Sequence, residues 1–269
     1  MLLVVKLGGS ILKTGTQLKL IEDIKKILES YQIVFVHGGG AEVTEIASKL
    51  GKEQKFVVSP QGFRSRFTDK ETIEIFTMVM AGKMNKNIVL ALQKEGIASV
   101  GLSGLDGFLL KGTRKKRLII VDKRGRKKVI DGGYTGKIVE INTDLLWSLL
   151  EKNYTPVITP IAISENYEPL NVDGDRTAAT IAASLKADKL ILLTDVEGLI
   201  LQNKLISKLK TSEIEDILPS IGEGMSTKIH ASVGALKKGV TEVIITSGSG
   251  DNPLSLALNH KRGTLISNE

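Results

Sequence analysis

Apolar residues open the chain in short solid runs. Leu2 to Leu7 is interrupted only by Lys6, and Ile33 to Val36 is unbroken. Runs of this length without alternation read as strands covered on both faces, as in a parallel sheet between helices. Between them, Leu18, Ile21, Ile24, Ile27 and Leu28 recur at helical spacing and predict a helix. A second helix is expected from about Ala41 to Leu50. A longer one, capped by Thr68 or Asp69, should reach about Lys94. Ala98 to Leu102 reads as a third strand. The middle of the chain breaks this alternation. From Leu109 to Lys137, β-branched clusters are separated by Asp122-Lys123-Arg124-Gly125 and by Asp131-Gly132-Gly133. Both separators read as hairpin turns, with Gly125 able to take a positive φ. The alternation then resumes. Thr143–Lys152 and the alanine-rich Thr177–Leu185 are expected helices; Thr155–Pro160, Leu190–Thr194 and Val243–Thr246 are expected strands. The pattern predicts an α/β fold with a largely parallel sheet covered by helices and inserted antiparallel hairpins.

Composition narrows the class. The 269 residues, 42% of them hydrophobic, suffice for one large domain or two lobes, with a soft boundary between residues 160 and 175. No apolar run approaches the ~18 residues of a membrane span. The opening MLLVV, followed by a lysine and glycines, does not read as a secretory signal. The absence of cysteine excludes disulfides and thiolate metal sites. A cytoplasmic protein is expected. The net charge of +7 is local in origin: the stretch from Lys111 to Lys137 holds eleven basic and two acidic residues, and the remainder is −2. Such a run is a solvated surface, a docking surface for an acidic partner, or a nucleic-acid contact. The last is disfavoured because Tyr134 is the only aromatic residue there and no stacking platform interleaves the charges.

Candidate chemistry sits at the ends of the expected strands. Gly8-Gly9-Ser10, Gly38-Gly39-Gly40 and Ser247-Gly248-Ser249-Gly250 each follow an apolar run. Glycine turns there let backbone amides approach an anion, and a following helix N-terminus favours negative charge. Neither GxxxxGK[ST] nor GxGxxG occurs, so another phosphate-handling scheme is implied. Lys6 is costly inside an apolar strand unless it has a partner. Lys228 lies in Gly222-Glu223-Gly224-Met225-Ser226-Thr227-Lys228, a glycine-rich helix entry. Asn171-Val172-Asp173-Gly174-Asp175-Arg176-Thr177 is either a helix cap or a cluster that meets lysines and substrate. Thr194-Asp195-Val196-Glu197-Gly198-Leu199 is a strand end that could line a nucleotide pocket.

Taken in order, VVKLGGS, VHGGG, GFRSRFTD, LNVDGDRTAA, LLTDVEGL and EGMSTK resemble the motifs of amino-acid kinases over essentially the whole chain, most closely the acetylglutamate kinase branch. The resemblance implies a three-layer α/β/α sandwich in a single domain over 1–269, with an acidic substrate in an N-terminal lobe (1–170) and ATP in a C-terminal lobe (171–269). It implies that an acyl phosphate is made from a side-chain carboxylate. Lys6 and Lys228 would hold the transferring phosphoryl group from opposite sides, and Asp175 would orient both. Gly8, Gly9, Gly39 and Gly40 would offer amides to phosphate or substrate. Ser10, Thr194, Asp195, Gly198 and Met225 would complete the ATP site. Arg64, Ser65, Arg66 and Asn171 would bind substrate, with Arg66 near the pocket mouth. Magnesium would arrive with the nucleotide, and no metal site of the protein's own is expected.

Two segments depart from plain acetylglutamate kinases. Gly62-Phe63-Arg64-Ser65-Arg66-Phe67-Thr68-Asp69 is two residues longer than their G-L-R-V-T-D and carries a second arginine, and Asn171-Val172-Asp173-Gly174-Asp175 replaces N-x-N-A-D. Both look like the sister branch of lysine biosynthesis. There the amino group of 2-aminoadipate is attached to the C-terminal glutamate of a small acidic carrier protein. That resemblance gives the basic stretch a purpose: Arg114, Lys115, Lys116, Arg117, Lys123, Arg124, Arg126, Lys127 and Lys128 would dock the carrier. Glutamate, one methylene shorter, would also be accepted, linking the enzyme to arginine synthesis. Because the chain starts at its first strand, without the N-terminal helix of arginine-inhibited relatives, a homodimer without that feedback is expected. The competing readings are an ordinary acetylglutamate kinase, a non-catalytic amino-acid sensor, which has no need of Lys6, Asp175 and Lys228 together, and a nucleic-acid binder.

Overall fold

The structure is a computed structural model that describes residues 1–9 and 17–268. Its first half runs β1 (Leu2–Leu7), α1 (Gln17–Ile27), β2 (Gln32–His37), α2 (Gly40–Lys49), β3 (Phe56–Val58), β4 (Arg64–Arg66), α3 (Lys70–Thr77), α4 (Asn85–Lys94) and β5 (Ser99–Ser103). Then come β6 (Leu110–Arg114), β7 (Arg117–Val121), β8 (Lys127–Asp131), β9 (Gly136–Ile141), α5 (Thr143–Glu151), β10 (Thr155–Thr159), β11 (Ile161–Ile163) and β12 (Pro169–Asn171). The last part holds α6 (Gly174–Ser184), β13 (Lys189–Thr194), β14 (Ile200–Leu201), β15 (Lys204–Leu205), β16 (Lys208–Lys210), α7 (Ile214–Ile217), α8 (Glu223–Leu236), β17 (Glu242–Ser247), α9 (Pro253–Leu258) and β18 (Thr264–Ser267). No helix among the described residues is long and apolar enough to cross a membrane.

Eight strands form the main sheet in the order β16-β18-β17-β13-β1-β2-β10-β5. Only the β17–β18 pair is antiparallel. β1 lies between β2 and β13, so its solid apolar run is explained: every residue of the strand is buried. Side-chain alternation divides the core. Leu2 and Val4 point toward α5, α6 and α8, whose Leu146, Leu150, Ala178, Ile181, Ala182, Ile229 and Ala235 fill that layer. Leu3, Val5 and Leu7 point to the other face, against Leu20, Ile21 and Ile24 of α1, Ile88 and Leu92 of α4, and Leu254 of α9. This is the expected three-layer α/β/α sandwich. Alanines along α6 let that helix lie close to the sheet and to α8.

The long helix expected from Asp69 to Lys94 is present, with an unforeseen interruption. Asp69 caps it by accepting from the Thr72 amide. Between α3 and α4, residues Met78–Met84 form a π-helical turn. Such turns carry one extra residue and recur where a helix must re-aim side chains. Here the residues concerned are Met80 and Met84, which pack against Gly39, and Asn85.

The inserted hairpins are real but connected differently from expectation. β7 and β8 form an isolated two-stranded ribbon, turning at 122–126, where Gly125 has φ 76°. Asp131-Gly132-Gly133 is not a hairpin turn: β9 pairs with β6, not with β8. The glycines instead let the chain press against its surroundings. A Cβ on Gly132 would fall 1.6 Å from the Lys115 carbonyl oxygen, and one on Gly133 2.3 Å from that of Thr68. The helix expected at Thr177 begins earlier, at Gly174, because the side chain of Asp173 caps it by accepting from the Arg176 amide. β18, beyond the last strand expected, joins the sheet antiparallel to β17, with β16 outside it at the edge.

Candidate active site

The C-terminal ends of β1, β2 and β13 meet at the point where the chain, having built the sheet to one side of β1, returns to build the other. Open α/β sheets bind ligands in that crevice. Lys6 is the penultimate residue of β1, on the face toward α6 and α8. Asp175 stands in the first turn of α6, where the helix dipole favours a carboxylate. Lys228 stands in the second turn of α8. Lys6 Nζ lies 2.9 Å from Asp175 Oδ1, and Lys228 Nζ lies 2.9 Å from Oδ2. Lys228 donates a hydrogen bond to Oδ2, and Lys6 forms an ion pair with Oδ1. The structure thus brings the three expected residues together, 169 and 222 positions apart from Lys6 along the chain.

The carboxylate is nearly sealed, with 7% of its side chain exposed; the two lysine side chains keep 11% and 15%. Burial alone would raise the Asp175 pKa; the ammonium groups of Lys6 and Lys228 outweigh it and hold the carboxyl below its ordinary range. One negative charge faces two positive charges. The cluster carries a surplus cation, held where the glycine turns and α8 converge.

Those turns are packed backbone to backbone. A Cβ on Gly9 would lie 2.9 Å from the Gly39 nitrogen, so the close approach requires glycine. The expectation for Gly8 is corrected. Its amide donates to the Leu193 carbonyl at 3.0 Å, prolonging the β1–β13 ladder, and is not free for an anion. Gly38 is occupied likewise, donating to Leu7 O at 2.8 Å. Gly39 and Gly40 begin α2, which has no side-chain cap among the described residues. α8 also lacks a side-chain cap, whereas α3, α5 and α6 are capped by Asp69, Asn142 and Asp173. Ser10 lies outside the described residues.

His37 fixes the second glycine turn. Its ring is fully buried, with Nδ1 2.9 Å from Gly38 O and Nε2 2.9 Å from Thr159 Oγ1. A carbonyl only accepts, so Nδ1 carries the proton and Nε2 accepts from the threonine hydroxyl. Burial, reinforced by Lys6 and Lys86, pushes the ring pKa down to about 4 against the Gly38 hydrogen bond, so His37 is neutral at ordinary pH. Asn85, placed by the π-helical turn, donates to Val157 O at 2.8 Å beside it.

Thr194, Asp195, Gly198 and Met225 line one cavity of about 350 Å³ together with Leu199, Ile221 and Lys228. Its lining combines apolar side chains (Val196, Leu199, Ile200, Ile221, Met225) with Asp195 and Lys228. Arg262 braces one wall: it grips Glu197 with Nε at 2.8 Å and Nη2 at 2.7 Å, and donates from Nη1 to Ser249 O at 2.6 Å. The turns after β13 and β17 are thereby joined.

On the other side of the crevice, Arg64 and Ser65 are exposed on β4. The Arg64 guanidinium lies 4.0 Å over the Phe56 ring and has no carboxylate partner among the described residues. Arg66 departs from expectation. It is buried, and its fork is used internally: Nη2 donates to Gly40 O at 2.7 Å and Thr44 Oγ1 at 2.9 Å, and Nη1 donates to Gln54. It anchors the start of α2 rather than standing at the mouth, since a desolvated guanidinium must satisfy its donors locally. Asn171 donates to Thr68 Oγ1 at 3.0 Å, and its amide donates to Tyr134 O at 2.8 Å. The Tyr134 amide in turn donates to Thr68 O at 2.7 Å. The segment leaving the basic ribbon is therefore stitched to the expected substrate pocket. Within the basic group, Arg114 stacks on Tyr134 at 4.6 Å and donates to Gly133 O. Lys115 is half-buried, its pKa lowered by that burial and by Arg176 and Lys137. Lys116, Arg117, Lys123, Arg124, Arg126, Lys127 and Lys128 are exposed.

His37, Asn85, Thr159, Glu197 and Arg262 were not singled out for a role in the sequence. His37 had a signal, its place directly before the glycines; Arg262 had none. Asp175→Asn is expected to lower the unfolding free energy by about 3 kcal/mol at pH 7, the low end for a broken buried ion pair because both ammonium groups keep a path to water. Because the folded carboxyl pKa is depressed, the wild-type advantage is full above about pH 4 and fades as pH falls through the lowered value. Urea titrations of both proteins from pH 7 to pH 3 check magnitude and sign.

Comparison with known proteins identifies the family. The model of the amino acid kinase family matches residues 1–247. Relatives from Metallosphaera sedula (43% identical over 267 residues) and Sulfolobus acidocaldarius (44% over 270 residues) are named LysW-aminoadipate/LysW-glutamate kinases; each alignment covers 98–99% of this chain and all of the relative. A relative from Nitrosopumilus maritimus, 52% identical over 268 residues and the whole of both chains, bears that name provisionally. Among solved structures, N-acetylglutamate synthase from Neisseria gonorrhoeae superposes with a TM-score of 0.82 at 25% identity, covering all of this chain and 59% of that one. Carbamate kinase from Giardia lamblia, at 19% identity, shares the fold with a TM-score of 0.68, over 99% of this chain and 98% of that one. The chain belongs to the amino acid kinase family.

Proposed function

We propose that this chain transfers the γ-phosphoryl group of ATP to the side-chain carboxylate of 2-aminoadipate, and of glutamate, linked through the amino group to an acidic carrier protein. The observation that carries the reading is one buried carboxylate holding two ammonium groups, one of which, Lys228, lines the cavity of about 350 Å³. A carboxylate acceptor is already ionised at neutral pH, so no general base is needed, and His37, neutral and enclosed, is not one. The obstacle is repulsion between acceptor and triphosphate. Lys6 and Lys228, pinned by Asp175, place positive charge on both sides of the phosphoryl group as one P–O bond forms to the acceptor and the bond to ADP breaks. Gly9, Gly39 and Gly40 supply amides to phosphate or substrate. Magnesium, carried on the nucleotide phosphates, neutralises further charge. Asp175 is committed to the lysines and is not free to hold that metal. Residues 171–269 hold the nucleotide, in the cavity of Thr194, Asp195, Gly198 and Met225; residues 1–170 hold the acceptor, through Arg64, Ser65 and Asn171.

The carrier follows from the names borne by relatives that align over their whole length and from the charge of the ribbon, whose exit strand is stitched to Thr68 and Asn171. An acidic partner bound there would be guided by charge. The working form proposed is a cytoplasmic homodimer, on the resemblance alone.

Turnover with magnesium–ATP, with the acyl phosphate trapped by hydroxylamine, tests the reading. LysW bearing aminoadipate or glutamate should be consumed, and free N-acetylglutamate should not. Efficient use of the free compound would make this an arginine-pathway kinase without a carrier. Lys6→Ala or Lys228→Ala should each slow turnover by roughly 10²–10³-fold. Charge reversal at the exposed Lys116, Lys123, Arg124 and Lys127 should raise KM for the linked substrate at least about tenfold and leave kcat intact, since each rim charge mainly guides encounter. Arg262→Ala should raise KM for ATP and weaken ADP binding in calorimetry, with KM for the acceptor unchanged.

A further inference from the structure

The β7–β8 ribbon is apolar on both faces, although only one face is covered. Strands alternate, so Leu118, Ile120 and Ile130 share one face and Ile119 and Val129 the other. The first group is half-buried, with β3 beside β7. Ile119 and Val129 sit directly opposite one another and are 55% and 57% exposed. Exposed apolar residues scattered singly are ordinary, but here two sit side by side on an isolated two-stranded ribbon. Cations surround this one. Arg117 and Lys127 lie on the same face, two residues from Ile119 and Val129 respectively, with Asp131 opposite Arg117 and the half-buried Val121 opposite Lys127; Lys116 is exposed before the strand, Lys123 and Arg124 are exposed at the ribbon's turn, and Lys128 lies on the other face, opposite Ile120. An apolar centre inside a charged rim is the usual anatomy of a specific interface.

We propose that the outward face of the ribbon is a docking surface centred on Ile119 and Val129, and that it takes an acidic protein domain presenting an apolar side chain within its acidic face. The inference rests on the carrier reading and adds to it. The basic rim sets encounter and orientation, and the apolar pair sets how long the partner stays. The partner's acidity follows from charge complementarity, and its apolar contact from the uncovered pair. Docking here would hold the partner on the ribbon whose exit segment Tyr134 stitches to Thr68 and Asn171.

The test uses the full-length enzyme and LysW bearing 2-aminoadipate. Ile119→Thr/Val129→Thr keeps two β-branched residues, hence the strand preference of the ribbon, and removes the apolar patch. It is expected to raise KM for the linked substrate tenfold or more, with kcat and ADP affinity unchanged. The defect should persist in 1 M salt, where charge guidance is screened to within ~3 Å. Hydrogen exchange on the wild-type enzyme reads the same surface without mutation: adding LysW should slow the amides of 117–121 and 127–131. An unchanged KM, or no protection on either strand, while the wild type consumes the linked substrate, overturns the apolar docking surface and leaves the proposed function standing. Failure of the wild type to consume the linked substrate overturns both.

Discussion

Two ammonium groups within 2.9 Å of one sealed carboxylate constrain everything around them. A buried lysine without a partner is expelled or neutralised, so Lys6 is tolerable in β1 only because α6 delivers Asp175 to it. Asp175 reaches that place because Asp173 caps the helix two residues earlier and alanines bring α6 down onto the sheet. Lys228 then shares the same carboxylate from α8. Removing the carboxylate would leave two like charges facing each other. Keeping it leaves a cluster one charge short of neutrality, which is the condition for receiving an anion.

Much of the scaffold was legible in the sequence because burial writes itself into periodicity. The solid runs of β1 and β2 announced strands covered on both faces, and Asp69 announced the start of α3. The misfit of Lys6 marked the site. Its partner was legible only as a motif, since no spacing rule links positions 6, 175 and 228. The amide of Gly8 was misread because sequence does not say where a ladder ends: one more hydrogen bond to Leu193 takes that amide out of play. Arg66 was misread for a related reason. The resemblance placed it with the substrate near the pocket mouth, but Gly40, Thr44 and Gln54 already occupy both of its Nη atoms. The turn at 131–133 has hairpin composition, yet strand pairing is a tertiary decision, and β9 found β6.

The two sides of the site are held by different means. On the acceptor side a neutral imidazole, a threonine hydroxyl and an asparagine amide form a dry hydrogen-bonded brace under the glycines. On the nucleotide side an ionic brace, Arg262 with Glu197, lies near the surface. The first keeps its form at any pH at which the protein works. The second is open to screening by salt.

The place of β1 at the middle of the sheet also bears on how the protein is made. β1 leaves the ribosome before its neighbours, and β2 can cover one of its edges soon afterward. The other edge belongs to β13, which begins at Lys189. At a synthesis rate of about 5–20 residues per second, that edge waits roughly 10–40 s for its neighbour. During this interval an apolar parallel strand stands open in the nascent chain, and Lys6 has no counter-ion until the α6 segment emerges. Asp175 of α6 emerges shortly before β13 closes that edge and Lys228 of α8 shortly after it, so the charge cluster and the sheet's middle are completed within the same stretch of synthesis.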